Sequence, residues 1–194
     1  MNSRRVTLAA IVGFGLFAGW VLFFALPHWY SARRVQNAAP ASTTTGTAAP
    51  SRKITATLFY VTEDGMALAP VQREVPFGET VAEQARAIVE AQLATADRQV
   101  SAIPTGVALR DVFVTERGDA FVNLSADITA KHPGGSLLEV LTVYTLVNAL
   151  TVNLPAITRV QILVEGKEVD TLAGHVDLRH PLAKSPEWIV HDTQ

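Results

Sequence analysis

The chain has 194 residues, with 16 lysines and arginines against 18 aspartates and glutamates, five histidines and no cysteine. Lacking cysteine, it can hold no disulfide framework, thiolate metal centre or lipidated cysteine. Its charges are near balance and dispersed, so no basic stripe follows a phosphate backbone and nucleic acid is not expected as a partner.

Residues 1–5 are a short basic tail, and residues 6–26 read VTLAAIVGFGLFAGWVLFFAL without one charged side chain. About 20 apolar residues, rising about 1.5 Å each in a helix, cross a hydrocarbon core of about 30 Å. A cleaved signal has an apolar core of only about 7 to 15 residues and ends in a small-x-small site. The run is longer and has no clear site of that kind, which predicts a retained single-pass transmembrane helix. Trp20, Trp29 and Tyr30 suit an interfacial belt, with Arg4 and Arg5 before the run and Arg33 and Arg34 after it. Orientation follows from position: the short tail stays in the cytoplasm and the C-terminal domain is exported from the inner membrane. Residues 27–52, with their alanine, threonine and proline, offer little apolar area to offset ordering entropy and predict a flexible linker. The remaining residues, 53–194, suffice for one domain.

Ile54–Val61 is β-branched and aromatic and stops at Glu63-Asp64-Gly65, a turn signal; Met66–Val75 then alternates, so the two predict a hairpin. Thr80 with Glu83 reads as a capping box, and Val81, Ala85, Ile88, Val89 and Leu93 recur at helical spacing, predicting a helix over about 81–95. Val107–Thr115 and Ala120–Leu124 flank a turn at 116–119 and predict a second hairpin. Ser136 with Glu139 repeats the capping box. The helix that follows, Leu137–Val152, is apolar on most sides apart from Glu139, Thr142, Thr145 and Asn148 at a spacing of three, and should be largely buried. Arg159–Val164 and Glu168–Leu172 predict a closing strand pair around Glu165-Gly166-Lys167. The sequence from Gly174 onward carries no clear period. This order predicts an α+β two-layer sandwich, a mostly antiparallel sheet with two helices on one face and the other face open to partners.

The ordered set resembles the GerMN domain family of sporulation and envelope proteins. The resemblance spans Ile54 to Leu182 and rests on Leu58-Phe59-Tyr60 with Asp64-Gly65, on Ile103-Pro104-Thr105-Gly106 and on Ala120-Phe121-Val122-Asn123-Leu124-Ser125. It continues through Asn148-Ala149-Leu150-Thr151, Val160 to Lys167 and Gly174 to Leu182. Tyr60, Gly65, Pro104, Gly106, Asn123, Leu124, Ser125, Thr151 and Gly166 are the signature positions, and their reading is architectural. The resemblance implies a non-enzymatic extracytoplasmic module, similar to the ring-building motifs of secretion and sporulation machines. This chain differs from the sporulation protein GerM in carrying one such domain instead of two.

Chemistry-bearing patterns are few. His175-x-Asp177-x-x-His180 offers two imidazoles and a carboxylate, but on a strand His180 would face away from the other two, so no metal site is expected. The segment Lys131 to Ser136 could present helix-start amides to an anion, although a Ser136 cap accounts for it. No nucleophile elbow, P-loop or dinucleotide fingerprint occurs, and neither a catalytic group nor a cofactor is expected. The expectation is a membrane-anchored module that binds an envelope protein or copies of itself. The alternative is a module that recognises a cell-wall fragment or glycan through exposed aromatics, for which Tyr60, Phe77 and Phe113 are the candidates.

Overall fold

The β-branched run after the linker forms β1, Lys53–Val61, paired antiparallel with β2, Leu68–Pro76. The computed structural model describes residues 52–94 and 98–190, and the expected tail, anchor and nearly all of the linker lie outside them. Helix α1, Val81–Leu93, starts on a working capping box: Thr80 Oγ1 accepts from Glu83 N at 3.2 Å and Glu83 Oε2 accepts from Thr80 N at 3.1 Å. Strands β3, Leu109–Val114, and β4, Asp119–Leu124, form the second hairpin. A single turn, α2 (Asp127–Ala130), leads to the long helix α3, Ser136–Asn153, and then to β5, Arg159–Val164. Two short strands, β6 (Lys167–Glu168) and β7 (Leu182–Ala183), and a 3-10 turn at Pro186–Trp188 complete the described chain.

The fold is α+β, but its strands divide into two sheets instead of one. β1 and β2 form a two-stranded sheet, touched at its end by single bridges from Val100 to Val61 and from Ile189 to Leu68, while β3, β4 and β5 run side by side and both β6 and β7 flank the outer edge of β5. The β4–β5 pair is parallel, because the chain between them crosses over through α3, and all other pairs are antiparallel. Strand β6 ends four residues short of the expected Leu172, and the segment after it is irregular.

What keeps the sheets apart is side-chain chemistry at the outer edge of β1. Gln92 on α1 accepts from Phe59 N at 2.9 Å and donates to Phe59 O at 2.8 Å. Asn153 at the end of α3 does the same for Thr57, at 2.8 and 2.7 Å. Each amide presents the donor and acceptor that a neighbouring strand would offer, so the edge is satisfied without one. On β2, Pro70 and Pro76 remove further donors.

The core forms where α3 meets β1 and β5 and where α1 meets β3. Ala120, Val122 and Leu124 of β4 and Val160 and Ile162 of β5 are buried beneath Leu141, Leu146, Ala149 and Leu150 of α3. Helix α3 is the one described helix long and apolar enough to cross a membrane by composition, and its apolarity is used in this core. Two turns are fixed by backbone sterics. Gly118 has φ 84, and a Cβ there would stand 2.7 Å from the Ala156 carbonyl oxygen. The β5–β6 turn places both Glu165 (φ 48) and Gly166 (φ 76) in the left-handed region that a two-residue hairpin requires. Glu165 is held there by bonds from Arg110 Nη2 and Ala126 N, both at 2.9 Å.

Candidate functional site

The polar residues spaced by three along α3 all lie inward. Glu139, Thr142, Thr145 and Asn148 are each fully buried, and three of them reach out to capture a different irregular segment. Asn148 pairs with Ser185 through both backbone groups, at 3.1 and 3.2 Å. Thr142 Oγ1 lies 2.8 Å from Ala102 O and 3.2 Å from His132 Nε2. Thr145 Oγ1 has no partner among the described residues.

Glu139 is the centre of the cluster. Its Oε1 accepts from Leu172 N and Ala173 N at 2.8 and 2.9 Å, and its Oε2 accepts from His175 N at 2.8 Å and faces His175 Nδ1 at 3.0 Å. Burial pushes this carboxyl upward, but the N–H groups of Ala173, His175 and Leu172 and the His175 ring together outweigh it and hold the carboxyl below its ordinary value. An ionised Glu139 only accepts, so His175 Nδ1 carries the proton. Four donors use both oxygens, and the carboxylate could not take a proton from a substrate without releasing the segment it holds. Its role is to anchor residues 172–175.

That role corrects the expected second capping box. The N-cap of α3 is Gly135, no side chain caps the helix, and Glu139 turns toward the 169–181 segment instead of back to the helix start. The capping pattern is local in sequence, whereas three donors presented together by a remote loop satisfy the carboxylate better.

The His175-x-Asp177-x-x-His180 pattern, from which no metal site is expected, is dispersed. His175 lies against Glu139, Asp177 forms a bidentate pair with Arg179 at 2.9 and 2.7 Å, and His180 makes neither contact. The Arg179 guanidinium and backbone N–H hold the Asp177 carboxyl far below the usual carboxylate range. Among the described residues no group of three or more histidines and carboxylates is placed to hold a metal.

The signature residues of the family resemblance occupy turns, strands and, for Thr151, the last turns of α3. Gly65 and Gly106 have positive φ, Tyr60 and Leu124 are buried, and Pro104 lines a shallow groove with Lys131, Pro133 and Leu138. Asn123 Oδ1 accepts from Gly166 N at 2.7 Å, Ser125 Oγ accepts from Ala108 N at 3.0 Å, and Thr151 Oγ1 donates to Val147 O at 2.7 Å. None of them converges on a common pocket.

The remaining feature is a surface. Along β5, alternation turns Gln161 away from Val160 and Ile162 to the face opposite the helices, where its amide donates to Leu178 O and is buried by the 169–181 segment. Among the described residues nothing covers the β3–β4 half of that same face. Phe113 and Phe121 are direct cross-strand neighbours there, Phe113 is 55% exposed and Phe121 is half-buried. Of the other aromatic candidates, Tyr60 is in the core and Phe77 lies under the Arg52 guanidinium, 3.8 Å from its ring centre.

Residues 57–170, more than half of the chain, match the Germane family model, described as "Sporulation and spore germination". The chain belongs to this family. Solved structures share the fold. The first GerMN domain of the Bacillus subtilis sporulation protein GerM aligns with a TM-score of 0.52 at 16% identity, over 69% of this chain and 98% of that one. The tandem GerMN domains of the same protein align with a TM-score of 0.53 at 16% identity, over 68% of this chain but only 46% of theirs. A Clostridium perfringens protein classed provisionally as a lipoprotein aligns with a TM-score of 0.50 at 20% identity, over 69% of this chain and 89% of its own. Among curated proteins none matches the sequence. The GerMN-like fold is thus established for the described domain, in a family defined by sporulation and germination and not by an enzymatic activity.

Proposed function

We propose that this chain is a single-pass protein of the inner membrane, anchored by residues 6–26, whose GerMN domain binds an envelope protein or copies of itself outside the cytoplasm. The observation that carries the reading is the β3–β4 face, left uncovered by the described residues, with its Phe113 and Phe121 pair. One half of a sheet face is sealed by the chain's own 169–181 segment, while the adjoining half leaves an aromatic pair in contact with water. Apolar surface of that kind at a sheet is a common basis for association. Membership of a sporulation and germination family and likeness to a protein provisionally classed as a lipoprotein support an envelope setting.

The test is photo-crosslinking from position 113 of the full-length chain in its native membrane, with capture and identification of the adducts. A discrete heterologous or self adduct supports the reading, and recovery of monomer alone at physiological abundance overturns it. The glycan alternative retains only Phe113 of its three aromatic candidates as an exposed ring. Pull-down on purified peptidoglycan, lost on Phe113→Ala, would transfer the surface to that ligand.

A further inference from the structure

The segment 131–135 joins α3 at its Gly135 end through the Glu139 N to Gly135 O bond, and along its length through the His132 imidazole, whose protonation state can be read from its neighbours. Gly134 N donates to His132 Nδ1 at 3.0 Å, and a backbone amide has no other role available to it. Nδ1 is therefore unprotonated, and the neutral ring carries its proton on Nε2, which donates to Thr142 Oγ1 at 3.2 Å. The Thr142 hydroxyl directs its one O–H between the carbonyls of Ala102 and Leu138, each at 2.8 Å. The relay joins 131–135, α3 and 101–105. The same segments form the walls of a groove of about 320 Å³, with Lys131 and Pro133 on one side and Ser101 to Thr105 on the other.

We propose that His132 is a pH-sensitive latch, neutral when the 131–135 wall of the groove rests on α3 and protonated when that wall swings away. A second proton has only Nδ1 to occupy, and there it meets the Gly134 N–H head on, donor against donor. The charged and titratable groups facing the ring are Glu139 on α3 and His175 on the 169–181 segment; 101–105 brings none. Lys131 beside it is engaged with Asp127 of α2 at 3.2 Å. Burial disfavours the imidazolium most, Glu139 favours it and His175 opposes it, with the balance below the ordinary histidine value. The latch therefore holds at neutral pH and opens on mild acidification.

Hydrogen–deuterium exchange of the full-length chain at about pH 7.5 and about pH 5, corrected for the intrinsic rate, tests this. Amides of 131–138 should exchange roughly fivefold faster at the lower pH, the size expected for one hydrogen bond lost, while β4 and β5 stay unchanged. His132→Gln, whose amide can accept from Gly134 and donate to Thr142 at either pH, should abolish the response, and His175→Gln should keep it. An unresponsive wild type, a response that survives His132→Gln, or one lost in His175→Gln overturns the proposal. Independently of any variant, the His132 ring followed by NMR of labelled histidine must titrate with the same midpoint as segment release, and a separate midpoint also overturns it.

Discussion

The two halves of α3 hold distant parts of the chain by the same device and with different chemistry. In the C-terminal half Asn148 and Asn153 clamp Ser185 and Thr57 through neutral amides, each meeting one backbone donor and one acceptor. In the N-terminal half Glu139 and Thr142 hold the 172–175 and 131–135 segments through a carboxylate and two imidazoles. Amides do not titrate, so acid reaches the first half of this helix and leaves the second half intact. The difference separates a permanent frame, which closes the edge of β1, from a set of attachments that pH can loosen.

The largest effect should come from the charged half. Glu139→Ala leaves three backbone N–H groups without their acceptor and should cost about 3–5 kcal/mol, read as a lower urea midpoint at unchanged m. Glu139→Gln keeps the volume and two acceptor positions and should cost less. It also sharpens the pH argument. The Glu139 carboxyl titrates lower in the fold than in the unfolded chain, so its stabilisation is present above the ordinary carboxylate range and is lost as pH falls through that range. His132 is also held low, so its share is lost earlier, as pH falls below the ordinary histidine value of about 6.5. Stability against pH should show two acid limbs, the upper removed by His132→Gln and the lower reduced by Glu139→Gln. A single limb untouched by both changes would refute the assignment.

Gln92→Ala tests the neutral frame from the opposite helix. It strands the Phe59 N–H and C=O in the interior and should cost about 2–3 kcal/mol, a loss unchanged between about pH 5 and pH 8 because no proton is involved. A pH-dependent loss would show that the two sets of attachments are not separate. Thr80→Ala, which removes the α1 cap, should cost about 1 kcal/mol, also without pH dependence, by thermal or urea unfolding.

Both hairpins, the α1 cap and the buried helix were legible in the sequence, because apolar periodicity and capping spacing are local signals. The fate of the polar residues on the buried faces was not. Gln92 and Asn153 carry no mark that distinguishes a strand-edge clamp from a solvated amide, since their partners lie 33 and 96 residues away. Ser136 and Glu139 matched a local pattern that a distant loop overrode. The stripe from Glu139 to Asn148 was visible as a period, but a period of polar residues inside an apolar helix says only that something polar must meet it. For the same reason the division of the strands into two sheets was hidden, being a consequence of the amide clamps, while the parallel β4–β5 pair depends on a crossover that strand pattern alone does not fix.

The smallest expected change in stability falls on the residue with the largest expected change in association. Phe113 stands more than half exposed beside Phe121, so truncation to alanine removes one cross-strand contact and should move stability by no more than about 0.5 kcal/mol. Its partner-facing effect should be large if the aromatic pair anchors the contact, since exposed aromatic anchors contribute disproportionately at interfaces. The measurement is the yield of crosslinked species from a probe at Thr115, just past the end of the same strand, in wild type and Phe113→Ala membranes at equal protein level. Unchanged yield with unchanged folding would place the contact elsewhere on the domain and leave the uncovered sheet half as ordinary surface. Loss of yield with the urea midpoint intact would show that this patch, unlike the helix-bound segments, is kept for a partner and not for the fold.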